Sequence, residues 1–281
     1  MSTLVSPLFA GLVDDASLLP PAFTNLPDAL AKHGEHRTAW YSALLGPLLV
    51  PASVIGAALP ARDLPVALLG DVPVSALPVA VEKLRASGAA VFHLEAAVAR
   101  RGEDPQPGLA ALRTLAGQDK DLQVYAEIPL SWGLLAALDA VAEARGDGLR
   151  MAPKFRVGGL AAELFPTPVE LAAVICACRD RELPFRLAAG LRHAIRHTDP
   201  ETGFTHHGFL NVLTGSLLAA DGAEVAEVAE VLAATHPLPL VEPARTRRDG
   251  SRPLFVGFGA VNVVEPLTEL VRLGLINGGY E

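Results

Sequence analysis

Eight short apolar runs recur along the chain, at residues 8–13, 48–50, 65–69, 89–94, 123–128, 150–157, 185–189 and 254–256. Several are apolar on both faces, as strands buried inside a parallel sheet are. Between many of them lie segments with helical spacing and good helix formers, at 74–87, 109–115, 132–145 and 168–181. Thr167-Pro168 reads as an N-cap followed by proline in the first helical position. Strands alternating with helices imply right-handed βαβ units and a parallel sheet. Eight such repeats in 281 residues suit a closed (β/α)8 TIM barrel in the α/β class better than an open doubly wound sheet. The whole chain, 1–281, reads as one domain, with longer loops after strand 1 (20–41) and strand 7 (193–207). In a barrel both loops leave carboxyl ends of strands, the face on which active sites lie.

Composition narrows the function classes. Hydrophobic residues make up 51% and charged residues 19%, enough to bury a large core and exclude global disorder. The net charge is −8, which argues against a nucleic-acid partner, since such proteins carry a basic patch or stripe. Apolar stretches such as 44–59 are interrupted by Gly46, Pro47, Pro51 and Gly56, so no membrane span is expected. The opening Met1-Ser2-Thr3-Leu4 lacks a basic leader region, and the expected location is the cytoplasm. Cys176 and Cys178 are too few for a disulfide framework and read as small buried residues on a helix. Only four of the 23 basic residues are lysines, which makes each lysine worth placing.

Polar residues at the ends of apolar strands carry the chemical signal. His93 and Glu95 are two apart and share one face of their strand; Tyr125 with Glu127, and Lys154 with Arg156, repeat the pattern on the next two. Such pairs can converge at one barrel mouth as a site, or form salt bridges in the barrel's upper layer. Lys154 lies in Pro153-Lys154-Phe155-Arg156-Val157-Gly158-Gly159, a strand running into a double glycine that lets backbone approach a ligand. A lysine among apolar groups loses its charge readily and becomes a nucleophile toward carbonyls. The alternative is a structural ion pair with Glu127 or Glu95.

The Lys154-Phe-Arg-Val-Gly158 strand resembles the Lys-x-x-x-Gly strand of class I aldolases of the deoxyribose-phosphate aldolase type. Phe185-Arg186-Leu-Ala-Ala189-Gly190-Leu-Arg192 is similar to that family's following strand, with Arg186 in place of its second lysine. Gln123-Val-Tyr-Ala-Glu127 is similar to the preceding strand, and Gly257-Phe258-Gly259 stands where the family has a small-residue phosphate loop. The resemblance runs from Val91 to Gly259. It implies Lys154 as a Schiff-base lysine and phosphate contacts from the backbone around Gly190 and Gly257.

Four of the eight histidines, His193, His197, His206 and His207, fall in the loop after strand 7. Such a loop can supply an acid or base near neutral pH, contribute metal ligands, or be merely solvated; His193 stands nearest the strand end. Asn211, early in the next helix, is a candidate donor toward a ligand. Asp14 and Asp15 end the first strand, either as a base or metal pair or as caps of the following turn. His33 and His36 read as part of the exposed face of a helix over 31–45.

The leading expectation is an aldolase-like lyase acting on a small anionic carbonyl compound. Lys154 forms an imine, Glu127 or His193 moves protons with His93 and Glu95 nearby, and Arg156 and Arg186 hold the anion. Gly158, Gly190, Gly257 and Gly259 supply backbone contacts, and an oxyanion is expected between Gly190 and Gly257. No cofactor is called for, because the G-x-G-x-x-G spacing of dinucleotide sites is missing. One alternative is a metal-dependent hydrolase, lyase or isomerase with His93, Glu95, Glu127 and His193 as ligands and Asp14 as an outlier. Another is a non-catalytic binding or assembly subunit, and a homo-oligomer is an open expectation in any case.

Overall fold

Eight parallel strands close into a barrel in the order β1-β10-β7-β6-β5-β4-β3-β2, with β2 pairing back onto β1. They are β1 (Val13–Asp15), β2 (Leu45–Pro51), β3 (Pro65–Gly70), β4 (Ala90–Ala97), β5 (Gln123–Glu127), β6 (Met151–Arg156), β7 (Phe185–Ala188) and β10 (Phe255–Ala260). The remaining two, β8 (His197–Thr198) and β9 (Thr205–His206), form a small antiparallel hairpin after β7. The architecture comes from a computed structural model that describes residues 4–56 and 63–278. Met1–Thr3, and the end of the apolar stretch 44–59, lie outside the described residues.

Helices cover the barrel where the apolar periodicity placed them: α2 (Leu77–Ala86), α3 (Gln106–Gln118), α4 (Leu134–Gly146) and α5 (Pro168–Arg179). The Thr167 hydroxyl accepts from the Glu170 N–H at 3.3 Å, and the Glu170 carboxylate accepts from the Thr167 N–H at 2.7 Å. This reciprocal cap satisfies two orphan donors of α5 and contributes about 1 kcal/mol. Cys176 and Cys178 are both buried on that helix, and burial pushes each thiol's pKa up. Beyond the hairpin follow α6 (Phe209–Ala220), α7 (Val225–Ala233), α8 (Leu238–Thr246) and α9 (Val264–Arg272). Phe155, Phe185, Phe255 and Phe258 turn outward from the strands, and Phe258 stacks on Phe209 of α6. Among the described residues, no helix is long and apolar enough to cross a membrane.

Three expected elements are corrected. The apolar run 8–13 is not a strand for most of its length. Pro7–Phe9 forms a 3-10 turn, and the carbonyls of Leu8 and Ala10 accept from the Arg252 guanidinium instead of a strand ladder. The helix expected over 31–45 is α1 (Leu26–Thr38), started by the Asn25 side chain accepting from the Asp28 N–H at 3.0 Å. Residues from Leu45 onward belong to β2. Finally, Gly257-Phe258-Gly259 does not close the last strand but lies inside β10.

Candidate functional site

Strand alternation sends the two aspartates of β1 in opposite directions. Asp15 faces away from the lumen, accepting from the Ser17 N–H at 3.0 Å and pairing with the fully buried His33 of α1 at 3.0 Å. His33 is thus a buried partner, not part of an exposed face, and Asp15 fixes the turn after β1. Asp14 points inward, where the Arg186 guanidinium donates to it.

The inward positions of β4 to β7 complete a continuous ionic network. Glu127, Lys154 and Arg186 occupy directly paired positions on β5, β6 and β7. Lys154 Nζ lies 2.8 Å from Glu95 Oε2 and 2.9 Å from Glu127 Oε2. Glu95 Oε1 receives His93 Nε2 at 3.1 Å and Arg186 Nε at 3.3 Å. The other end of the network is Arg156, whose Nε donates to Glu127 Oε1 at 3.1 Å. Tyr125 lines the same space, with its ring 5.3 Å from Arg186 Cζ and edge-on to His93. The carboxyl groups of Asp14, Glu95 and Glu127 thus face the basic side chains of Lys154, Arg156 and Arg186.

Burial opposes charge at each of these groups, and the partners decide the outcome. Burial pushes Glu95 up, but Lys154, His93 and Arg186 together hold its carboxyl well below the ordinary range. Burial likewise raises Glu127, and Lys154 and Arg156 overcome it, so its pKa is lowered. Lys154 shows the converse. Burial favours the neutral amine, yet Glu95 and Glu127 raise its pKa, so it is an ammonium ion. Asp14 is raised because burial outweighs Arg186 and His93, and among the described residues its Oδ1 has no partner.

The glycines expected to cradle an anion do other work. A Cβ on Gly257 would lie 2.9 Å from the Leu12 carbonyl and 3.0 Å from Arg186 Nη2, so the missing side chain makes room for that guanidinium. A Cβ on Gly259 would meet Leu49 at 3.0 Å; Ala16, Leu49 and Ala67 fill this side of the mouth. A Cβ on Gly158 would lie 2.8 Å from the Gly190 backbone. The loops after β6 and β7 therefore pack directly on one another, and Arg186 fills the space beside Gly257 where the oxyanion was expected.

Open space lies instead at the carboxyl ends of β4, β5 and β6. A cavity of about 850 Å³ is walled by Arg100 and Arg101 after β4, Ile128 to Ser131 after β5, and Ala162 to Pro166 after β6. Glu127 and Arg156 also line it. The Glu127 side chain is 15% exposed and that of Arg156 48%, whereas Lys154 behind them is buried. Arg101 is anchored by donating to the Leu130 carbonyl at 2.8 Å. Arg100 and Arg101 are not among the residues that strand periodicity singles out; their place just past a strand's carboxyl end is the signal that marks them.

The remaining candidates sit elsewhere. His193 leaves the barrel axis and bonds through Nδ1 to Glu269 of α9 at 2.6 Å, lining a different cleft. It joins neither Glu127 nor His93, so the four-ligand metal set is not assembled. Asn211 does not face a ligand: its amide donates to the Val231 and Ala234 carbonyls and its oxygen accepts from the Arg196 N–H. Among the described residues, Asp14, His93 and Glu95 bring ligand atoms within 4.8 Å of one another. The Arg186 guanidinium is bonded to both carboxylates, so the cation this group holds is internal.

The chain matches no protein-family model and no curated protein. Among solved structures it is similar to Xanthomonas albilineans dihydropteroate synthase in complex with indole-2-carboxylic acid and 6-chloroguanine. The likeness has 14% sequence identity and a TM-score of 0.35, covering 98% of this chain and 99% of that one.

Proposed function

We propose that the protein is a barrel enzyme that enolises an anionic, carbonyl-bearing metabolite bound in the cavity at the ends of β4, β5 and β6. The observation that supports this reading is the position of Glu127, the carboxylate that both lines the cavity and touches the buried Lys154. Arg156, half exposed beside it, holds the substrate's anionic group. Engaging that anion draws Arg156 away from Glu127 and removes one of the charges that depress its pKa. Glu127 then becomes a better base at the moment the substrate arrives. It takes a proton from the carbon beside the carbonyl, and the electron pair of the C–H bond moves into an enolate.

Lys154 serves this scheme as a fixed ammonium behind Glu127. An amine attacks a carbonyl only with its lone pair free, and Glu95 and Glu127 keep this one protonated. A carbonyl substrate is thus retained, and proton transfer takes the place of the imine that the aldolase resemblance implies.

The test is deuterium exchange. Wild-type protein in D2O is incubated with a panel of keto acids and aldehyde phosphates, and loss of α-proton signals is followed by NMR. Glu127→Gln is expected to slow exchange by about a hundredfold or more. Arg156→Gln is expected to weaken binding. No exchange with any compound that binds the cavity contradicts the catalytic reading. It favours instead a binding subunit, a second reading supported by the ion-paired lumen and the apolar patch of Ala16, Leu49 and Ala67.

A further inference from the structure

The loop after β7 and helix α9 line a second, open cleft of about 440 Å³, which shares no lining residue with the Glu127 cavity. Two arginines face it, Arg196 and Arg272, together with Thr235 and His193. Arg196 is held at both ends. Its backbone N–H donates to Asn211 Oδ1 at 2.9 Å, and that side chain is itself fixed to two carbonyls. Its Nη1 donates to His207 Nδ1 at 3.3 Å, while His207 Nε2 donates to the Pro166 carbonyl at 2.8 Å. His207 is thereby a neutral imidazole whose remaining lone pair orients the guanidinium.

What Arg196 lacks is a counter-charge. Among the described residues it makes no ion pair, and burial alone lowers its pKa. Glu269, the acid in this cleft, is already engaged by His193 Nδ1 and the Ala194 N–H. A partly desolvated guanidinium with fixed geometry and no carboxylate is costly unless an anion completes it, and its planar fork matches two oxygens of one anion. We propose that this cleft binds a compact oxyanion, held by Arg196 and Arg272 with the Thr235 hydroxyl as a neutral donor. The site is separate from the cavity of the proposed reaction and from the space between Gly190 and Gly257.

Calorimetric titration of the full chain with inorganic phosphate, malonate, glycerol 3-phosphate and glycerol tests this. Both inorganic phosphate and malonate are expected to bind and glycerol is not. Glycerol 3-phosphate binding more tightly than phosphate assigns the head group to a phosphorylated metabolite, and equal binding assigns it to the free ion. Arg196→Gln is expected to weaken phosphate binding by about tenfold or more, as loss of a charge-assisted hydrogen bond does. The exposed Arg272→Gln, which leaves the His207 and Asn211 contacts intact, is expected to weaken it as well. Arg37→Gln, on the exposed face of α1, serves as the control and is expected to bind like wild type. No heat from either anion at about 10 mM, or wild-type affinity in both cleft variants, overturns the proposal.

Discussion

Glu95 accepts from Lys154, His93 and Arg186 at once, so its charge is the hub of the lumen network. Glu95→Gln leaves two buried cations short of a counter-charge and is expected to cost about 3–5 kcal/mol in urea unfolding. Glu242→Gln, in an exposed pair on α8, is expected to change stability by less than about 1 kcal/mol. The sign of the pH dependence follows from the depressed pKa of Glu95. Its contribution is whole above the unfolded value of about 4.3 and is lost as pH falls through the lower folded value. Asp14 works the other way, because its raised pKa favours the folded state in acid and loses that advantage as pH rises. Glu95→Gln is therefore expected to flatten the acid limb of the stability profile, measured by unfolding between pH 3 and pH 7. The pairs His93–Glu95 and Lys154–Arg156 were legible from spacing alone, since a period of two is all that a strand face requires. An ion pair of Lys154 with Glu127 or Glu95 was legible as one of two alternatives; that both carboxylates reach it at once was not, because this depends on the register of neighbouring strands.

At the scale of elements, the chain's glycines divide by what surrounds them. Gly257→Ala pushes a methyl against the Leu12 carbonyl and Arg186 and is expected to cost about 1–3 kcal/mol. Gly34→Ala, in the middle of α1 with open space around it, is expected to stabilise by up to about 1 kcal/mol. Thermal unfolding of the two variants separates these opposite signs. Glycine weakens a strand interior and reads as a turn, so Gly257 and Gly259 hide the full length of β10 in the sequence. The run 8–13 misled for a different reason. Leu8, Phe9 and Leu12 are fully buried, but hydrophobicity reports burial and not the hydrogen-bond ladder. The loop between the β8–β9 hairpin and α6 carries its own pH signature. Burial pushes the His207 imidazole down to about 4, against about 6.5 in the unfolded chain. Its contribution to stability is complete above pH 6.5 and is lost as pH falls from there to 4, with a slope of at most about 1.4 kcal/mol per unit. His207→Gln is expected to remove that slope.

For the whole molecule, the closed barrel was legible because eight apolar runs and their helical spacers repeat along the chain. The location of open space was not. Which part of the mouth stays open depends on how loops of different lengths fold over it: Ala16, Leu49 and Ala67 close one side, and the segments after β4, β5 and β6 leave the other free. The network and the cavity meet at Glu127, and the proposed chemistry requires the lysine behind it to stay charged. The decisive measurement is an NMR titration of the Lys154 Cε and Nζ resonances, assigned by comparison with Lys154→Met. The ion-paired geometry requires an ammonium that does not titrate below the ordinary lysine value of about 10.4. A Lys154 that titrates near neutrality, or that is trapped by borohydride as a carbonyl adduct, contradicts it and restores the imine.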